Sequence, residues 1–429
     1  MRMMKDSGIE WIGQIPEDWE LTTYRRVFNR RKEYDDKDKQ VLSLTIQGVK
    51  EKNESYGKMA EDFTGHQIVK KDDLVFTPRD FDATPILSGI APCDGCISNL
   101  YFVLYPHDTT KTYVPYFNYF MWGVKWGGDI WRKLSYGMRF SYNFQQFGAL
   151  PTVLPPIDMQ KRIADFLDEK CGKIDHYIEK QQQVIEKLKA YKQSVITEAV
   201  TEGLNPDASM KDSGITCVGE IPSHWSVIRF KYITDAIGDG LHGTPEYDSD
   251  GEYYFLNGNN IGNENLVFKD NTDRLSESEY KKYKPVNINE NTILITLNGA
   301  TYGKTSFYNN EKVLLGKSAG YITLKDGENK YFVRLYLQSH IARLVMELSL
   351  CGSTRANLSL KTLNEFVMPY PPFNEQEQIV EYLNARCFEI DRAIDKKQSL
   401  IAKLTEYKKS LIFEAVTGKI EVRIDGYSH

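Results

Sequence analysis

The sequence predicts an α+β protein: two mixed α/β bodies separated by two long antiparallel coiled-coil helices, the halves related by a pseudo-twofold internal repeat. Three observations carry this. Short motifs recur at fixed offsets, two long stretches carry a heptad pattern of apolar residues, and the intervening segments alternate short apolar runs with polar loops.

The repeat comes in two blocks. Met4-Lys5-Asp6-Ser7-Gly8-Ile9 returns as Met210-Lys211-Asp212-Ser213-Gly214-Ile215, and Gly13, Ile15, Pro16 and Trp19 return as Gly219, Ile221, Pro222 and Trp225, all at an offset of 206. The stretch from Pro155 to Thr201 returns from Pro371 to Thr417 at an offset of 216, matching Gln160 with Gln376, Asp175 with Asp391 and Tyr191 with Tyr407. Between the blocks, residues 20–135 and 226–351 share little identity and differ by ten residues in length. Joints that match around bodies that differ imply one frame carrying two unlike readers. The chain therefore divides into a first body (1–155), a first long helix (156–205), a second body (206–371), and a second long helix with a C-terminal tail (372–429).

From Asp158 to Thr201 there is no Pro and only Gly172, in a stretch rich in helix formers. Alternating steps of four and three pick out Leu167, Cys171, Ile174, Ile178, Gln181, Ile185, Leu188, Lys192, Val195 and Ala199; the second copy gives Leu383, Cys387, Ile390, Ile394, Lys397, Ile401, Leu404, Lys408, Leu411 and Ala415. Eight of ten are apolar in each, which predicts a coiled-coil seam. The polar interruptions either pin the register or snorkel from the seam's edge. A helix of 44 residues spans roughly 66 Å at 1.5 Å per residue, so a pair of them would act as a ruler between the bodies. Two half-sites near one turn of a duplex, about 34 Å apart, would suit such a ruler.

Strand-like runs at Asp73 to Thr77, Ile97 to Leu104, Ile293 to Leu297 and Tyr321 to Leu324 are bounded by Gly, Pro, Asn and Asp. The loops of the second body hold the candidate contacts to base edges and phosphates: Asp239, His242 and Thr244, then Asn259 and Asn260, then Asn298, Thr301 and Lys304. Ordinary turn chemistry explains each loop taken singly. Arg139 and Arg355 occupy equivalent positions before the two helices, where they either grip phosphate or anchor each body to its helix.

A net charge of -5 is unusual for a nucleic-acid binder. Counted locally, residues 1–155 carry 20 basic and 20 acidic side chains and 206–371 carry 17 and 20, so binding would need local patches. Arg25, Arg26, Arg30, Arg31 and Lys32 form one, with a solvated charged surface as the competing reading. No apolar run reaches the roughly 18 residues of a membrane span, and no signal peptide is evident at the start, so the expected location is cytoplasmic. Six cysteines in so long a chain are no disulfide framework, and the lone CxxC, Cys93 and Cys96, is better read as a turn at Asp94-Gly95 than as a metal site.

Catalytic signatures fail on inspection. Gly299 and Gly303 are separated by three residues where a P-loop needs four, and Tyr370-Pro371-Pro372-Phe373 has Tyr where amino-methyltransfer needs Asn or Asp. No catalytic residue, metal site or cofactor is expected in this chain. A coiled-coil scaffold that binds proteins through both bodies is the competing reading, since the 12% aromatic content would serve protein interfaces as well as bases.

The segment Lys5-Asp6-Ser7-Gly8-Ile9-Glu10-Trp11-Ile12-Gly13-Gln14-Ile15-Pro16-Glu17-Asp18-Trp19, its near copy at Lys211 to Trp225, and the helix-opening run Pro371-Pro372-Phe373-Asn374-Glu375-Gln376 resemble the frame of type I restriction-modification specificity subunits. Asp239 to Pro245 is similar to a loop of the family's target-recognition domains; the first body lacks it. The resemblance implies a non-catalytic reader of a bipartite target in double-stranded DNA. It also implies two modification subunits that methylate adenine with S-adenosylmethionine, and restriction (translocase) subunits that use ATP and Mg, with all cofactors held by those partners and no membrane involved.

Overall fold

The computed structural model describes residues 2–34, 40–52, 65–80, 86–128, 130–135, 141–215, 217–283, 288–299, 301–350 and 357–422. Two compact units emerge, Met1–Gln182 with Gln398–His429, and Gln183–Lys397. Each contains one body and a part of both long helices, Ile157–Glu202 and Phe373–Val416.

The first unit opens on a small hairpin, Met4–Asp6 against Gln14–Pro16, with Met4 opposite Pro16. Gly8 and Gly13 turn it at φ of +63° and +70°, values that suit a residue without a Cβ, which is the reason both recur in the repeat. Strand Glu20–Thr23 then pairs antiparallel with Pro151–Leu154, closing the base of the body. Above it lies an antiparallel sheet in the order Phe28–Arg31, Phe102–Pro106, Leu74–Phe76, Ser88–Ile90. Helix Val114–Trp126 presents Phe117, Phe120 and Met121 to this sheet, and Tyr24, Trp131 and Phe147 complete one aromatic core. Leu167, Cys171, Leu411 and Ala415 belong to that same core, so the body is fused to its stretch of the helix pair. The fit is close at Gly127, where a Cβ would lie 2.4 Å from the Phe413 ring.

The second unit repeats the plan. Hairpin Met210–Asp212 with Glu220–Pro222 and the pair Ser226–Arg229 with Val367–Tyr370 match the first unit's frame. Its sheet runs Thr234–Asp239, Ala319–Leu324, Thr292–Thr296, Thr305–Phe307. Taken in chain order, both four-stranded sheets are arranged first, fourth, second, third. The difference lies beside the sheet: the second body adds Arg274–Leu275, Tyr253–Leu256 and Val313–Leu315, the last two strands parallel, whereas the first has two separate strand pairs.

Every predicted seam residue is at least half-buried. Leu167, Ile185, Val195, Leu383, Ile390, Ile394 and Leu411 are buried; Ile174, Ile178, Leu188, Ile401 and Leu404 are half-buried. Within each unit the helices run antiparallel, and of the four polar interruptions Lys192 and Lys408 form reciprocal ion pairs, whereas Gln181 is buried and Lys397 half-buried. Lys408 reaches Asp175 at 2.6 Å in the first unit, and Lys192 reaches Asp391 at 2.6 Å in the second. An exposed pair is worth about 0.2–1 kcal/mol, too little to hold the helices but enough to favour one register. Gln160 and Gln376 have an architectural role: both are buried and donate to the carbonyls of Pro155 and Pro371, at 2.8 and 2.9 Å, where the chain enters each helix.

Candidate nucleic-acid interface

In the second unit three polar loops meet at one end of the four-stranded sheet. Strand Thr234–Asp239 finishes there, and Leu241 bridges Gly316. The Gly258 N–H donates to Ser318 Oγ at 2.7 Å, and the Leu297 N–H to the Ser318 carbonyl at 2.9 Å. The predicted loops, distant in sequence, therefore share one edge because the sheet order brings their strand ends together.

Their side chains divide. His242 Nε2 and Asp239 Oδ2 lie 2.6 Å apart, with the imidazole exposed, and Thr244 and Asn259 are exposed. Lys304 is exposed, and no ion pair engages it among the described residues. Asn260 is instead buried, its amide donating to the Val267 carbonyl at 3.0 Å and its Oδ1 accepting from the Asn257 N–H at 3.0 Å, so it shapes the loop. Asn298 is half-buried and bridges Asn357; Thr301 is half-buried and its carbonyl accepts from the Lys304 N–H at 3.3 Å. Arg139 and Arg355 lie outside the described residues.

The segment that resembled a P-loop is the connection between strands Thr292–Thr296 and Thr305–Phe307, with no helix after it to receive a phosphate. Tyr370 stands in a frame strand with its hydroxyl on Glu328 at 2.7 Å; burial first, then that carboxylate, pushes its pKa up to about 12.

Beside Lys304 the second unit has a cavity of about 830 Å³, also lined by Lys189, Arg334 and Arg343. Arg334 is nearly inaccessible, its nearest carboxylate is Glu264 at 3.5 Å, and burial disfavours its charge. Glu264 and Asp391 line the same cavity and offset part of this charge, which leaves the exposed Lys304 as the cation best placed for a phosphate oxygen. Lys304→Ala is expected to weaken duplex binding uniformly across sequences and to reduce the salt slope of log K by roughly one. Fluorescence titrations at several salt concentrations read both quantities, and an unchanged slope would assign Lys304 to the hairpin alone.

The equivalent sheet end of the first unit carries residues the sequence did not single out. Arg79 follows strand Leu74–Phe76 just as the loop bearing Lys304 follows Thr292–Thr296, and the Tyr142 N–H donates to the Pro78 carbonyl at 2.8 Å as Leu358 does to Leu297 at 2.7 Å. Of the basic run at 25–32, Arg31 is a strut: it clasps Asp73 with Nε at 2.8 Å and a second nitrogen at 3.2 Å. Those bonds to Asp73 are the main reason its pKa is raised. Arg30 faces the other way, over the rings of Phe102 and Phe144 at 4.6 and 5.7 Å. Strand alternation separates the two neighbours and is the signal that distinguishes them. Among the described residues no group of three potential metal ligands occurs, and no helix is long and apolar enough to cross a membrane.

Two loop-bearing sheets of one topology thus stand on a repeated helical frame. The profile of the type I restriction modification DNA specificity domain matches residues 222–406. The type I restriction enzyme MjaVIII specificity subunit of Methanocaldococcus jannaschii is 26% identical over 276 residues, 63% of this chain and 62% of its own. The EcoBI specificity subunit of Escherichia coli is 26% identical over 282 residues, 62% of this chain and 58% of its own. The matched regions thus span about three-fifths of these curated relatives. Among solved structures, a chain from work on complex assembly and conformational transition of the type I R-M system aligns over 95% of this chain and 99% of its own, with a TM-score of 0.69 and 14% identity. The HsdS subunit from Thermoanaerobacter tengcongensis aligns over 97% and 100%, with a TM-score of 0.51 and 15% identity. Over residues 222–406 this chain is thus similar to the type I restriction modification DNA specificity domain, and its fold is that of the aligned solved chains.

Proposed function

We propose that this chain is the non-catalytic reader of a type I restriction-modification complex, acting in the cytoplasm on double-stranded DNA. Each body recognises one half of a bipartite target, and the helices fix the gap between the halves. The chain joins two modification subunits, which bring S-adenosylmethionine to a target adenine, and restriction subunits, which bring ATP and Mg. One observation supports this above the rest: two sheets of identical strand order carry unlike polar loops at the same end, on a frame whose joints recur at fixed offsets.

Selection from random duplexes, using the chain with its modification subunit, tests the reading. The expected product is two short fixed motifs separated by a constant number of unspecified bases. No enrichment, or one undivided motif, would reject it. Spacing has its own test. One heptad inserted into each helix, after Gln182 and after Lys397, keeps the seam in phase and lengthens each helix by about 10 Å. The gap is expected to grow by roughly three base pairs, given a rise of 3.4 Å per pair. An unchanged gap in an active complex would show that something other than helix length sets it.

A further inference from the structure

A cavity of about 520 Å³ opens at the loop-bearing sheet end of the first unit, lined by Arg30, Arg79, Asn99, Phe102, Asn143 and Gln146 among others, and no carboxylate lines it among the described residues. Arg30 is the fixed element. Its guanidinium lies over Phe102 and Phe144, which orients its plane, and no ion pair engages it among the described residues. Its buried Nε has no hydrogen-bond partner. Burial is the larger influence on this side chain and disfavours its charge, so an acceptor brought into the cavity would relieve a cost already incurred.

The neighbours narrow the ligand. Asn143 and Gln146 cap each other, Oδ1 of Asn143 accepting from the Gln146 N–H at 2.8 Å and Oε1 of Gln146 from the Asn143 N–H at 2.9 Å. Each of those bonds takes one lone pair of a carbonyl oxygen and fixes the amide, whose NH2 groups are donors. Donors therefore dominate the lining: two guanidinium groups and the amide N–H groups. In the major groove adenine presents one acceptor and one donor, cytosine a donor, and thymine a single acceptor beside its methyl group, whereas guanine presents two acceptors, N7 and O6, spaced for the guanidinium fork. A phosphate also offers acceptors but needs no oriented plane, and Arg79, on the adjoining loop, suits that less exacting contact.

We propose that Arg30, held flat on Phe102 and Phe144, reads a guanine in the half-site of the first body, with Arg79 at a neighbouring phosphate. This rests on the reading of each body as a DNA half-site reader. Random-duplex selection is repeated with Arg30→Ala and Arg30→Lys chains in the complex with the modification subunit, each checked for an unchanged circular-dichroism spectrum. With Arg30→Ala, one guanine position of the first body's half-site is expected to lose its preference, discrimination there falling roughly 5- to 150-fold, while the other half-site keeps its sequence. Arg30→Lys retains charge and stem but not the fork, so it should weaken the same position to a smaller extent. Three outcomes overturn the assignment: an unaltered motif in both folded variants, relaxation at a position other than guanine, or a uniform loss of affinity with a salt slope lower by about one, which marks a phosphate contact. If the wild-type chain selects no two-part motif, the DNA reading itself fails and this assignment falls with it.

Discussion

Phe147→Ala is expected to cost the first unit about 3–5 kcal/mol. Phe147 is fully buried and lies within 4.7 Å of Tyr24, 5.0 Å of Phe76, 5.7 Å of Phe102 and 6.2 Å of Trp131, measured between ring centres. Truncation removes the ring on which these four converge and leaves a hole that rigid aromatic neighbours fill poorly. The chain has two units, so one overall unfolding free energy is not the right readout. Hydrogen exchange resolved by segment is. Protection in Leu74–Phe76 and Phe102–Pro106 should drop roughly 100-fold or more, at 1.4 kcal/mol per decade, while Thr292–Thr296 keeps its protection. Equal loss in both sheets would mean the bodies are not independent folding units. Because Phe102 also supports Arg30, the same variant should lose the first half-site before the second.

The frame was legible in the sequence because it is symmetric. Seam positions follow from the step of four and three, and each falls on a buried or half-buried residue because an antiparallel pair leaves that stripe no exposed path. Lys192 and Lys408 interrupt the heptad as register pins or snorkelling stems, and the repeated Asp391 and Asp175 meet them across the seam, which favours the first. Asn260 reads like Asn259 in a string of loop residues, yet one is buried in backbone bonds and the other exposed, a distinction made by the short turn Gly258–Asn260 rather than by composition. Arg30 was hidden for the opposite reason. A run of five basic residues hides which face each one occupies, and only the pairing of Phe28–Arg31 with Phe102–Pro106 sends Arg31 to Asp73 and Arg30 to the rings.

Replacing residues 24–150 by residues 230–366 is expected to produce a chain that recognises two copies of the second half-site and none of the first. The boundaries follow from packing. Identity falls away over 20–135, but strand Glu20–Thr23 pairs with Pro151–Leu154 as Ser226–Arg229 pairs with Val367–Tyr370, so those strands belong to the frame. Helix Phe144–Ala149 sends Phe147 into the first body's core, so it must travel with the body, and a cut at 135 would leave that core without its central ring. Tyr24 and Phe230 sit at matching places, as do Leu150 and Phe366: the Tyr24 N–H donates to the Leu150 carbonyl at 3.2 Å, and the Phe230 N–H to the Phe366 carbonyl at 2.9 Å. Each junction therefore closes on the same backbone bond it replaces. What the graft must still satisfy is the helix surface, since Gly123 and Gly127 admit Val416 and Phe413 closely in the native unit, whereas the incoming helix Lys330–Gln338 brings larger side chains. Trimming Phe413 to Ala offsets that crowding without touching a loop. Methylation mapping in cells carrying the hybrid reports the motif directly. Retention of the original first half-site would place sequence reading in the frame, and recovery of two second half-sites would place it in the loops at the sheet ends.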